Sequence, residues 1–181
     1  MPEQETDRNV APPKGSRRSV AQHVMLFVGS LAYLGFVPIA SGTVAVAVVG
    51  VPLYLLLIAY LEWSWPVYGA FVLLFTFVSI WVAGHTDRIL NEKDSHKNVI
   101  DEIPGYLIAL VYLQPTWQLV AAAFFLERAI DIAKIWPASW IEDHLPRGWG
   151  VVLDDVVAGL YTLAILHLGV FIRPAWFGLA S

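Results

Sequence analysis

The chain has 181 residues, of which 57% are hydrophobic and 14% charged, far below the roughly one quarter charged of an ordinary soluble domain. Its 15 acidic and 11 basic residues give a net charge of −4, so no basic excess exists to neutralise a nucleic-acid backbone. With no cysteine, disulfides, thiolate metal sites and cysteine-nucleophile phosphatase chemistry are excluded. What remains is an integral membrane protein of one domain, whose 8 Trp and 7 Tyr suit a membrane interface.

Residues 1–19 carry Glu3, Glu5, Asp7, Arg8, Lys14, Arg17 and Arg18 with Pro12, Pro13 and Gly15. This composition cannot bury enough apolar surface to fold alone and is expected to be a disordered cytoplasmic tail. A cleavable signal peptide is disfavoured, because Ala40-Ser41-Gly42 is embedded in further apolar sequence. From Ser19 to Leu61 there is no charged residue, but the stretch Gly35 to Thr43 interrupts it with Gly and Pro. Val24–Val37 would be only about 21 Å long as a helix, too short for a hydrocarbon core of about 30 Å, so an interfacial or re-entrant position is expected. Val44–Leu61 and Pro66–Ala83, joined by Glu62-Trp63-Ser64-Trp65, read as a transmembrane hairpin.

Charge returns in 84–102 and again in 127–155, separated by the uncharged stretch Ile103–Leu126, and Val156–Ile172 closes the chain as a last apolar helix. The tail and both charged blocks contain Arg and Lys, whereas the Glu62–Trp65 link has none, which places all three basic regions in the cytoplasm. A simple span over 103–126 would divide the two blocks between opposite faces. A break at Gln114-Pro115 into two half-length helices that enter and return keeps them together, and one tilted span is the alternative. The expected fold is therefore all-α: a polytopic membrane protein with short re-entrant or interfacial helices and an acidic, cytoplasm-facing site within a single domain, 20–181.

Acidic groups beside apolar helices lose solvation and are retained when they pair or bind an ion. Asp101-Glu102 precedes Ile103-Pro104, which fits either a helix cap or a functional pair. Glu127, Asp131 and Lys134 fall at i, i+4 and i+7, with Arg128 three residues before Asp131; a surface salt-bridge face accounts for them as readily as a site does. Asp154-Asp155 sits between the flexible-looking Gly148-Trp149-Gly150 and an apolar helix, where two adjacent carboxylates repel unless a cation compensates. Carboxylates without Cys or paired His suit a hard cation, and Mg²⁺ is the usual partner where phosphate is handled. Ser41-Gly42-Thr43, leading into a helix, could offer hydroxyls and backbone N–H groups to a phosphate. His167, inside the last apolar helix, is expected to face a polar cavity or pack through a hydrogen bond.

Gly35 to Thr43, Asp101-Glu102 before Gly105-Tyr106-Leu107, the run Arg128 to Pro137, and Leu153-Asp154-Asp155-Val156-Val157-Ala158-Gly159 together resemble the phosphatidylglycerophosphatase A family, in that family's order, over roughly residues 24–170. Where the family usually has Pro-Gly-Thr followed by Gly, this chain has Ser41-Gly42-Thr43 followed by Val44; Ile130-Asp131 and Lys134-Ile135 replace Phe-Asp and Lys-Pro. The resemblance implies a Mg²⁺-dependent inner-membrane phosphatase that converts phosphatidylglycerophosphate, a phospholipid substrate drawn from the membrane, to phosphatidylglycerol. On that reading Asp101, Glu102, Asp131, Asp154 and Asp155 hold one or two Mg²⁺ ions. Ser41, Gly42, Thr43 and Arg128 bind substrate, while Asp131, Lys134, Asp154 and Asp155 are catalytic. Attack by water and a covalent aspartyl-phosphate are both open. An ion-coupled transporter using the same carboxylates is the rival from another class.

Overall fold

The computed structural model describes residues 19–92 and 95–179, so the tail expected over 1–19 lies outside the described residues except for Ser19. The described residues are helical, without strands. Helix α1, Val20–Gly29, opens on a capping box: Gln22 N–H donates to Ser19 Oγ and Ser19 N–H to Gln22 Oε1. It ends at a run of left-handed residues, Leu31, Ala32 and Tyr33, where the rings of Phe27 and Phe36 meet Tyr33 edge-on. The helix thus begins earlier and is shorter than the stretch Val24–Val37, and at about 15 Å it too is short of a bilayer core.

Three helices are long and apolar enough to cross a membrane: α2, Ser41–Tyr60; α3, Trp65–Leu90; and α7, Gly148–Ile172. Two π-helical turns, Val46–Gly50 and Leu56–Tyr60, interrupt α2, and Pro52, which has no N–H to give to the helical ladder, lies between them. A left-handed Glu62 turns the chain into α3, which Pro66 starts and a left-handed Asn91 stops. Helix α3 does not end at Ala83: it continues through Thr86 and Asp87, both buried, so part of the expected charged loop is helix. Nor does the last helix begin at Val156. Gly148 and Gly150 are buried in its first turns, and a Cβ on Gly148 would lie 2.2 Å from the Ile80 carbonyl oxygen of α3, so these glycines permit close packing rather than flexibility.

Ile103–Leu126 is broken, as the Gln114-Pro115 dipeptide suggests, but unequally. Helix α4, Glu102–Ala109, is about 12 Å long, and α5, Trp117–Ala133, about 25 Å. The turn between them lies at the far end of the molecule from the charged blocks, where Tyr112 packs at a tilt against Trp65 and Thr116 Oγ donates to the Phe177 carbonyl. Because Glu102 and Arg128 then meet in an ion pair, the chain leaves and returns to one side; a single straight helix would hold them roughly 39 Å apart. Short α6, Ala138–His144, links α5 to α7.

Helix α4 is the centre of the core. Ile103, Tyr106, Leu107 and Leu110 are fully enclosed by α2, α3, α5 and α7. Three buried tyrosines donate to carbonyls around the break: Tyr54 to Leu113, in the irregular turn, at 2.6 Å, Tyr68 to Leu107, near the end of α4, at 2.8 Å and Tyr106 to Val120, near the start of α5, at 3.3 Å. Gly105 and Gly159 let α4 and α7 touch backbone to backbone, since a Cβ on Gly159 would stand 2.3 Å from the Gly105 carbonyl oxygen. That contact sets the distance between the start of α4 and the acidic turn of α7.

Candidate active site

A cavity of about 550 Å³ opens where the starts of α2, α4 and α7 converge with the end of α5. Ser41, Gly42 and Thr43 line it from α2, Asp101 and Glu102 from the start of α4, Arg128, Asp131 and Lys134 from the end of α5, and Asp154 and Asp155 from α7. Segments distant in sequence thus bring every residue expected to bind metal or substrate or to be catalytic into one cavity. Five carboxylates face two cations there, which makes the cavity strongly acidic.

Helix geometry explains each placement. Asp101 occupies the N-cap position of α4 with helical backbone angles and makes no side-chain capping bond, so the simple cap reading fails for it. It is buried, while Glu102, in the first turn, points toward α2: a Cβ on Gly42 would fall 1.7 Å from its Oε1, so only glycine permits this approach. Asp154 and Asp155 lie about two turns inside α7 rather than at its mouth, roughly 9 Å from Gly148, and both are buried. The Asp155 N–H donates to Asp154 Oδ1 at 3.0 Å. Ser41 Oγ donates to the His96 carbonyl at 2.9 Å, fastening the start of α2 to the loop before α4.

Arg128 stands at the centre. Its Nε and Nη2 grip both oxygens of Glu127 at 2.7 and 2.8 Å, its Nη1 pairs with Glu102 and lies 3.4 Å from Asp131, and its Nη2 lies 3.6 Å from Asp155. Glu127 is 0% exposed, so it belongs to the interior and not to a surface salt-bridge face. Burial pushes the Glu127 carboxyl up to about 7, against the pull of the Arg128 fork. Burial opposes the charge on Arg128, but its hydrogen bonds with Glu127 and the surrounding carboxylates outweigh that and hold the guanidinium more firmly protonated than usual.

Lys134 is not the i+7 member of a helical face. It caps α5 in the left-handed conformation, and this turn aims its Nζ at Glu142 of α6 and, at 3.8 Å, at Asp154 Oδ2. Glu127, singled out with Asp131 and Lys134 by spacing but given no role in the site, and Glu142, which nothing local in the sequence marks, thereby anchor the site's two cations. His167 is exposed and outside the acidic cavity, with its ring nitrogen against the Leu163 carbonyl one turn back.

One oxygen each from Glu102, Asp131 and Asp155 lie within 4.8 Å of one another. All-oxygen donors at this spacing fit a hard divalent cation. Arg128 contacts the same three carboxylates, so the guanidinium balances charge that a bound cation would also balance.

Residues 27–170 match the family model described as Phosphatidylglycerophosphatase A. Phosphatidylglycerophosphatase A of Escherichia coli K12 is 33% identical over 144 residues, 78% of this chain and 79% of that protein. A Bacteroides thetaiotaomicron protein named "Putative phosphatidylinositol-3-phosphatase" is 34% identical over 138 residues, 73% of this chain and 84% of its own length. Phosphatidylglycerophosphatase A of Haemophilus influenzae is 30% identical over 97 residues, 53% of this chain and 60% of that one. No solved structure matches.

Proposed function

The chain belongs to the phosphatidylglycerophosphatase A family, and from this we propose that it is a Mg²⁺-dependent phosphatase that hydrolyses phosphatidylglycerophosphate to phosphatidylglycerol and phosphate at the cytoplasmic face of the inner membrane. The observation that carries the reading is the meeting of Glu102, Asp131 and Asp155, from three separate helices, around Arg128 in one cavity. Phosphate is a dianion, and a cavity with this excess of carboxylate receives it only with a compensating cation.

Glu102, Asp131 and Asp155 would hold that cation, with Asp101 and Asp154 beside them. When bound, the ion supplies charge neutralisation at phosphoryl oxygens and a more acidic water. The chain's own residues do the rest. Arg128 offers planar N–H donors to phosphate oxygens as its carboxylate contacts are taken over, and Glu127 keeps it in place from behind. The Ser41 to Thr43 turn orients the ester from the opposite wall. Lys134 lies beside Asp154, where its ammonium stabilises charge on the phosphoryl group as its bond to the glycerol oxygen breaks and phosphatidylglycerol leaves. Asp131, Asp154 and Asp155 are the carboxylates available to take the proton of an attacking water or to attack phosphorus themselves.

Positively charged residues in 84–102 and 127–155 favour a cytoplasmic site, and the leave-and-return course of 102–133 keeps both blocks on one side. The test is direct. Purified protein in detergent should release phosphate from phosphatidylglycerophosphate with Mg²⁺, and EDTA should stop it. Phosphatidylinositol 3-phosphate, chosen after the Bacteroides relative's name, should be the poorer substrate. Cation-dependent transport into vesicles without phosphate release would replace the phosphatase reading with the transporter one.

A further inference from the structure

A second, apolar groove of about 420 Å³ runs away from the acidic cavity between α2 and α5. Ala47, Val51 and Leu55 line one side of it, and Trp117, Ala121 and Phe124 the other. Its two walls belong to α2 and α5, which also help line the acidic cavity. On α2, Thr43 of that cavity is followed at every fourth position by Ala47, Val51 and Leu55. Positions four apart drift round an ordinary α-helix of 3.6 residues per turn, and the wider π turn Val46–Gly50 reduces the drift, so this row stays along one groove. On α5, Arg128 of the cavity is followed backwards by Phe124, Ala121 and Trp117 at spacings of four, three and four, which is one helical face.

The α2 row is about 18 Å long and the α5 row about 17 Å. Each is polar or charged at the Thr43 and Arg128 end and wholly apolar toward Leu55 and Trp117. Small side chains, Ala47 and Ala121, make room midway. A ligand lying along both rows needs an anionic head and a methylene tail, and the groove opens beside Phe125 and Trp117, which are 71% and 76% exposed.

We propose that this groove seats one acyl chain of the substrate lipid, so that α2 and α5 hold the tail while their cavity-facing ends hold the phosphate. The inference rests on the lipid phosphatase reading and adds to it a binding site for the tail, with Ala47 and Ala121 as positioning residues that act through substrate placement. Anchoring the tail fixes the depth of the head group, and a group held in register reacts with less lost orientational freedom.

The experiment uses the full chain in mixed micelles with two phosphatidylglycerophosphates, one with dioleoyl and one with dihexanoyl chains. Ala47→Phe and Ala121→Phe fill the groove. Each should raise KM for the dioleoyl lipid by about tenfold or more while leaving kcat and KM for the dihexanoyl lipid within about twofold. Leu55→Ala adds no bulk and opens the far end, and it should shift the preferred chain length upward. Unchanged chain-length preference in all three variants overturns the proposal and makes the groove a seat for bulk lipid. Wild-type protein that releases phosphate from neither lipid overturns the phosphatase reading itself, and the acyl groove with it.

Discussion

Arg128 reaches Glu102, Glu127, Asp131 and Asp155, and the fully buried Glu127 depends on it for both of its hydrogen bonds. Removing one partner of a buried pair strands the other, so Arg128→Ala should cost about 3–5 kcal/mol in thermal or denaturant unfolding. Arg128→Lys keeps the charge but not the planar fork; it should recover part of the stability and little of the phosphate release. Glu127 also gives a pH signature. Its carboxyl has an ordinary value of 4.5 and titrates at about 7 in the fold, because burial outweighs the guanidinium. The folded chain therefore holds this proton more tightly than the unfolded chain does. The associated stability is complete below about 4.5 and is lost as pH rises through about 7. Glu127→Gln stays neutral, so melting temperatures from pH 4.5 to 8 should diverge in the variant's favour as pH rises; parallel curves would refute the burial argument. At this scale the acids of the candidate site were legible as candidates, because carboxylates beside apolar runs lose solvation, although a cap or a surface face explained Asp101, Glu102 and Asp131 as readily. The role of Lys134 was not, because a left-handed cap redirects a side chain in a way that helical periodicity does not anticipate.

At the scale of elements, the contact between α4 and α7 positions the acids, and it exists because Gly105 and Gly159 carry no side chain. Gly159→Val would press its side chain into the Gly105 carbonyl and should destabilise the protein by more than about 1–3 kcal/mol, with activity falling faster than stability as Asp155 moves from Glu102. Phosphate release measured below the melting temperature separates the two effects. Tyr68→Phe removes the 2.8 Å donor to the Leu107 carbonyl, which keeps its bond from the Leu110 N–H, and should cost about 0.5–1.5 kcal/mol in unfolding, without changing which lipid is hydrolysed. The break at Gln114-Pro115 was readable, since Pro removes a backbone donor. The unequal lengths of α4 and α5 were not, since the tyrosine hydroxyls that donate to carbonyls around the break come from α2, α3 and α4 itself.

At the scale of the whole molecule, three candidate spans and the broken α4–α5 unit bring the starts of α2, α4 and α7 and the ends of α3 and α5 to one side. Introduced cysteines in this cysteine-free chain report that arrangement. Single cysteines at Lys97 and Arg147 should both react only with reagent on the cytoplasmic side, and one at Glu62 only from outside. Labelling of Lys97 and Arg147 from opposite sides would sink the common-face topology.

The apolar composition and the uneven spread of charge determined by themselves that the chain is a membrane protein and that, beyond the tail and Glu62, its acids gather in two blocks, while Gln114-Pro115 marked where the apolar middle could break. These follow from solvation and backbone chemistry, which act residue by residue. Only the tertiary structure decided that Gly148-Trp149-Gly150 is helix, that Glu127 is buried behind Arg128, and that α2 and α5, which line the acidic cavity, also line an apolar groove. Those depend on which helix faces meet, and close approach between helices is set by pairs of residues far apart in the chain.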